Sequence, residues 1–327
     1  MRPNCTKLII ACVSFLALSF TAKAQGLPVQ YFRYIHKGDS LYQAKNYQAS
    51  GMAYASAFKV AKGKGTANDR YDAACSWAAA NVPDSAFASL DYLVKKLDYS
   101  NSKQLFQERD LMSLFNDKRW LPLLQRVSGN RIVAEAGYNM PLVKDLDTIH
   151  YDDQFYRLQI DSVQKKYGSS SKEMDALWKV MADKDSVNLI KVKAILDNYG
   201  WLGADAVGPV GNMTLYLVIQ HADKDTRVKY LPMMRDAVKE GRAEASDLAL
   251  MEDRVALEAG KKQLYGSQLA QDTKTGKYYF RPIEDEPNVD IRRASMGLEP
   301  LEYYAQQWGM VYKLPKAAVS EVHKAKK

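Results

Sequence analysis

Apolar positions recur at helical spacing along most of this chain, and glycine, proline or small polar clusters interrupt them. Between Gly38 and Val60, residues Leu41, Tyr42, Ala44, Tyr47, Ala49, Tyr54 and Ala57 meet on one side of two short helices, and Gly63-Lys-Gly65 breaks the second. A comparable unit follows. Tyr71, Ala74, Cys75 and Ala78 mark one helix, Pro83-Asp84 starts the next, and Ala86, Phe87, Leu90 and Leu93 mark its face. Small residues let helices approach closely, while tyrosines fill the gaps between turns. Residues 25–130 therefore read as antiparallel helix pairs, and the turn formers Gly129-Asn130 and Gly137 to Pro141 place a boundary near residue 130.

Residues 131–313 read as a second helical domain. Asp145 to Lys166 is a charged helix, Gly168-Ser-Ser-Ser171 a linker, and Met174 to Asn198 a longer helix. Tyr199-Gly-Trp-Leu-Gly203 ends it, with Gly200 suited to the left-handed position after a helix stop, and a loop with glycines at 203, 208 and 211 follows. Further helices are expected from Val210 to His221, from Arg227 to Glu240, and after Ser246 as N-cap. Leu269 to Gln271 and Lys277 to Arg281, around the turn Asp272 to Gly276, pattern as a small β-hairpin. A last helix runs through Tyr304, and 314–327 is a basic tail. The fold class is mainly α.

Composition fits this reading. The 327 residues are 47% hydrophobic and 26% charged, which is the balance of a folded chain able to bury proper cores. The first 24 residues form a leader: Arg2 and Lys7 precede the uncharged run Leu8 to Phe20, and Ala22-Lys-Ala24 before Gln25 fits small-x-small cleavage. That run is too short to span a membrane. Export to a periplasmic or extracellular location is expected, with no integral membrane segment once the leader is gone. The formal charge of +8 then falls by three, for Arg2, Lys7 and Lys23, to +5. The remaining charges are interleaved, so nucleic acid is not an expected partner. Cys5 and Cys12 leave with the leader, and Cys75, set among alanines, reads as a small buried packing residue.

Candidate chemistry concentrates between Tyr199 and Gln268. His221 lies four residues past Leu217 and three past Val218, on their inward face, with Asp223 close behind it. A histidine held by a carboxylate suits acid–base work, and it is also how a buried histidine is satisfied. Arg254 falls in the apolar seam of Leu250 and Leu257, so it needs a carboxylate or an anionic ligand. Arg157 sits four residues after Asp153, where the two can pair along a helix. Trp201, Gln220, Gln263, Tyr265 and Gln268 complete the candidate ligand-binding set. There is no His-Glu-x-x-His, no cysteine pair, no glycine-centred calcium loop and no phosphate-binding loop, so neither metal nor cofactor is expected.

Two resemblances add to this. The helix pairs resemble tetratricopeptide repeats, with Asp110 to Leu124 resembling the ending common after such repeats in bacterial proteins. From about residue 145 to 308 the chain is similar to an uncharacterised bacterial family, domain of unknown function 6624. The similarity rests on Asp153-Gln154 with Arg157, Gly200-Trp201, Gln220 to Asp223, Asp253-Arg254 and Gln263-Leu-Tyr-Gly-Ser-Gln268. Pro282 to Asp285, Val289 to Arg293 and Gly297 to Leu301 continue it, while Leu202 stands where the family pattern has a proline. The resemblance implies a domain and not a reaction.

Three readings follow: a polar envelope ligand such as a glycan or peptide bound by Arg254, His221, Gln263, Tyr265 and Gln268; a hydrolase-like site with His221 as base, Asp223 as its orienter and Arg254 stabilising negative charge; or a buried polar network, with a protein or peptide partner taken by the repeat-like half. The leader makes one direct prediction. The exported product should begin at Gln25, as read by intact mass, and a product retaining the first 24 residues would overturn it.

Overall fold

The computed structural model describes residues 27–272 and 275–315; the expected leader with Cys5 and Cys12, His323 and most of the expected basic tail lie outside them. The first half consists of α1 (Val29–Gln43), α2 (Tyr47–Val60), α3 (Ala67–Ala79), α4 (Pro83–Lys96), α5 (Ser102–Gln107), a 3-10 turn at Arg109–Leu114 and α6 (Trp120–Glu135). Consecutive helices pack as hairpins, α1 on α2 and α3 on α4, as the small-residue faces require. Tyr71, Ala74, Cys75 and Ala78 meet Phe87, Leu90 and Leu93 in one core, closed below by Leu111, Trp120 and Val127. The mainly α expectation holds.

Residue 130 is not a break. Gly129 and Asn130 lie inside α6, because the Asn130 amide donates to the carbonyls of Val94 (2.9 Å) and Tyr99 (3.1 Å) and docks the helix on the end of α4. The chain turns instead at 136–139.

The second half follows with α7 (Met140–Arg157), α8 (Ile160–Tyr167), α9 (Lys172–Tyr199), α10 (Ala204–His221), α11 (Lys224–Lys239) and α12 (Ala245–Glu258). The hairpin β1 (Leu269–Gln271) and β2 (Tyr278–Phe280) then pairs antiparallel with Leu269 opposite Phe280, before α13 (Val289–Ser295) and α14 (Leu301–Gln307). The expected single helix over 145–166 is two, broken at Leu158 and Gln159. The glycine-rich stretch after Trp201 is not a loop. Gly203 is the N-cap of α10, Gly208 (φ 71°) with Pro209 kinks that helix, and Gly211 is a close-packing point. Ser246 lies within α12, whose N-cap is Glu244.

The core of this half gathers Leu146 and Ile149 of α7, Val192, Ile195 and Leu196 of α9, Leu215 and Ile219 of α10, and Tyr230 and Met234 of α11. Trp201 belongs to it at 1% exposure, a packing residue rather than a ligand platform. The corner at 201–202 is tied by Asn212, whose amide reaches the carbonyls of Leu202 and Arg242 at 2.7 Å each. No described helix is long and apolar enough to cross a membrane.

The halves touch through α1 and the C-terminal segment, where His36 Nε2 lies 2.7 Å from Glu299 Oε2 and its ring stacks on Tyr303 at 4.2 Å. In the first half, tyrosine hydroxyls donate to carboxylates, Tyr31 to Asp69, Tyr54 to Asp39 and Tyr42 to Asp110. The Asp72 carboxyl is pushed up to about 7, by burial first and then by the like charges of Asp69, Asp39 and Glu108; because Asp72 keeps exposed surface, the like charges are the firmer cause.

A β-carbon at Gly211 would stand 3.0 Å from Val207 Cβ and 3.1 Å from Leu146 Cδ1. Gly211→Val should therefore separate α10 from α7 and cost ~1–3 kcal/mol, read as a lower urea midpoint; an unchanged midpoint would show that the contact yields.

Candidate functional site

The polar motifs of the second half fold into two networks. The first is charged and lies where α7, α9 and α10 meet. His221 ends α10, and its Nδ1 is 3.0 Å from Asp153 Oδ1 on α7. One turn on, Arg157 Nη1 donates to the Asp153 carbonyl at 2.5 Å and lies 3.2 Å from Asp153 Oδ1. Arg157 Nη2 takes both oxygens of Asp185 on α9, at 2.9 and 2.8 Å. Gln154 Nε2 donates to Asp153 Oδ2 at 2.7 Å.

Burial alone would raise the Asp153 carboxyl. The hydrogen bond from His221 and the charges of His221 and Arg157 outweigh it, holding Asp153 below the ordinary carboxylate range. On Asp185 burial wins over the pull of Arg157, and its carboxyl is raised. An ionised Asp153 can only accept, so Nδ1 of His221 carries the proton of this hydrogen bond, on an imidazole whose side chain is nearly buried. Nε2 makes no hydrogen bond among the described residues, and it is not one of the polar atoms sealed without a partner. On the same helices, Asn188 Oδ1, one turn from Asp185, and Gln220 Oε1, beside His221, are buried acceptors without a hydrogen-bond partner among the described residues.

This differs from the sequence reading in its partners. Asp223 does not orient His221; it is the N-cap of α11, accepting from the Thr226 amide at 2.8 Å and the Thr226 hydroxyl at 3.2 Å. The role falls to Asp153, 68 residues away. The Asp153–Arg157 pair is also not a solvated helix-surface pair, since both side chains are nearly buried. Arg254 is 3.9 Å from Glu258, which also pairs with Arg227. Arg227, buried at 3%, donates to the carbonyls of Gln220 and Ala222 and so closes the end of α10 beside His221. Arg227 was not among the expected residues. Its signal was an arginine in phase with Tyr230, Leu231 and Met234 on the inward face of α11.

The second network is a sealed loop. Asp253, fully buried on α12, accepts from the backbone N–H groups of Leu264 (2.6 Å), Tyr265 (2.9 Å) and Ser267 (2.9 Å), and from the Ser267 hydroxyl (2.9 Å). Burial raises its carboxyl despite these donors. Gln263, also without exposed surface, donates to the carbonyls of Gln268 (3.0 Å) and Arg281 (2.7 Å) and accepts from the Gln268 amide (2.8 Å). Gln268 Nε2 turns to the Ser267 hydroxyl at 3.1 Å, and the Tyr265 hydroxyl donates to Glu252 at 3.1 Å. From the other side Arg293 donates to the Tyr265 carbonyl at 2.7 Å. Gly266 has φ 70°, and a β-carbon there would meet Leu301 Cδ1 at 2.9 Å. Gln263 and Gln268 thus spend their side-chain hydrogen bonds on the loop and the residues beside it, and Tyr265 ties the loop to Glu252 of α12. They do not join His221 and Arg157 in one constellation.

The model of a family of unknown function (DUF6624) matches residues 141–316, which takes in both networks. No curated protein and no solved structure matches the chain.

Asp253→Ala leaves three buried N–H groups and a hydroxyl without their acceptor. It should lower stability by at least ~3 kcal/mol, with Asp253→Asn in between, measured by urea unfolding; a loss within ~0.5 kcal/mol for Asp253→Ala would show that the loop does not depend on this carboxylate.

Proposed function

The chain belongs to the family of unknown function DUF6624, and we propose that it is an exported binding protein whose C-terminal domain takes a hydroxyl-bearing polar ligand of the envelope, such as a glycan, at the outer edge of His221. The observation that carries this is the Asp153–His221 hydrogen bond at 3.0 Å, which fixes the imidazole through Nδ1 and leaves Nε2 without a hydrogen-bond partner among the described residues. With the proton of a neutral imidazole on Nδ1, Nε2 accepts from an O–H group, which is the state a hydroxyl-bearing ligand fits. The unsatisfied acceptors of Asn188 and Gln220 on the neighbouring turns ask for donors as well. Export rests on the leader pattern of residues 1–24, and the helix hairpins of the first half are read as a surface for a protein or peptide.

The same hydrogen bond supports a second reading, general-base catalysis. A carboxylate-held imidazole with a free Nε2 takes a proton from a bound hydroxyl or water, and Asp153 steadies the imidazolium that forms. In that reading Arg157 positions Asp153 and does not touch the reacting atoms. Arg254, bound up with Glu258, has no part in it.

Soluble peptidoglycan fragments titrated into the full chain by calorimetry test both. His221→Ala should weaken binding by about 10-fold, the value of one hydrogen bond. Equal affinity in His221→Ala, with no turnover of the fragments by the parent chain, would sink both readings. Turnover that disappears in His221→Ala while affinity stays would favour catalysis over binding.

A further inference from the structure

We propose that the first half carries a divalent-cation site of mixed sulfur and oxygen ligands, suited to Zn2+, formed by Cys75 with Glu108 and Asp110. The Sγ of Cys75 and one carboxylate oxygen each of Glu108 and Asp110 lie within 4.8 Å of one another. Tetrahedral Zn2+, with bonds of ~2.0–2.3 Å, sets its ligand atoms about 3.5 Å apart, so the side chains need to close by about an ångström. Glu and Asp rotamers provide that movement. The thiol is the independent sign of a ligand. Cys75 is 5% exposed, its Sγ faces the two carboxylates, and it makes no side-chain hydrogen bond among the described residues. A cysteine kept only for packing has no need of carboxylates at its sulfur, and their negative charge disfavours the thiolate unless a cation stands between them.

The backbone builds the site from two rigid pieces. Cys75 lies on α3, and the 3-10 turn Arg109–Leu114 packs against that helix and carries Asp110. Tyr42 donates to Asp110, and Tyr71 lies 3.4 Å from Glu108 Oε2, so both carboxylates are already oriented. Neither Glu108 nor Asp110 forms an ion pair with a lysine or arginine among the described residues. Thiolate with carboxylate selects a borderline ion such as Zn2+ over Ca2+ or Mg2+, which prefer oxygen alone. On binding, the S–H bond breaks, the sulfur pair forms the metal–sulfur bond, and the proton leaves to solvent.

The test uses the full chain with Cys5→Ser and Cys12→Ser, so that Cys75 is the one thiol present. After chelation, Co2+ is added as a spectroscopic stand-in and Zn2+ as competitor. One equivalent of Co2+ should produce a sulfur-to-cobalt charge-transfer band that Zn2+ bleaches, and Zn2+ should raise the unfolding midpoint by ~2–4 °C or more. Glu108→Gln should weaken Co2+ binding at least about 10-fold. Cys75→Ala should abolish the band; it fits the alanine-lined core, and its melting curve in chelator shows whether it folds. No band in the parent, or a band that survives Cys75→Ala, would overturn the site.

Discussion

The structure turns on the buried carboxylate of Asp253. Four donors from residues 264–267 converge on it, so the 263–268 segment has one conformation even though it is neither helix nor strand. Arg293, 2% exposed, holds the same segment from the opposite side through the Tyr265 carbonyl and reaches on to the Glu299 carbonyl at 2.6 Å. A buried anion thus faces the N–H side of the loop and a buried cation its carbonyl side, a satisfied arrangement in which removing either partner strands the other. Glu299 in turn meets His36 of α1, so this loop also fixes where the C-terminal segment touches the first half.

The charged cluster of α7, α9 and α10 obeys the same rule with a different outcome. The charged groups there are paired, Asp153 with Arg157 and Arg157 with Asp185, His221 adds a hydrogen bond to Asp153, and the helices supply three rigid supports. What remains unspent is one imidazole edge and two amide oxygens. The loop motif, whose buried carboxylate and amides are satisfied within the protein, is framework. In the first half the imbalance is of charge instead, where carboxylates and a thiol gather on α3 and the following turn with tyrosines as donors.

Sequence by itself determined the periodic elements. Apolar spacing marked the helices, Pro83 the start of α4, Gly200 the end of α9, and the alternation around 269–280 the hairpin, because each depends on residues within one turn or one strand pair. The ordered motifs located the domain. Tertiary structure decided the rest. Gly129-Asn130 reads locally as a turn, yet two carbonyls at the end of α4 hold it helical. Gly208 and Gly211 read as loop, yet they let α10 kink and press on Leu146. His221 had a carboxylate two residues away in the chain, but a helix N-terminus claimed Asp223, and the packing of α7 brought Asp153 instead. Spacing fixes which side chains share a face of one helix. Which faces meet, and at what height, is set by how whole helices pack, and the chemistry of His221 is decided there.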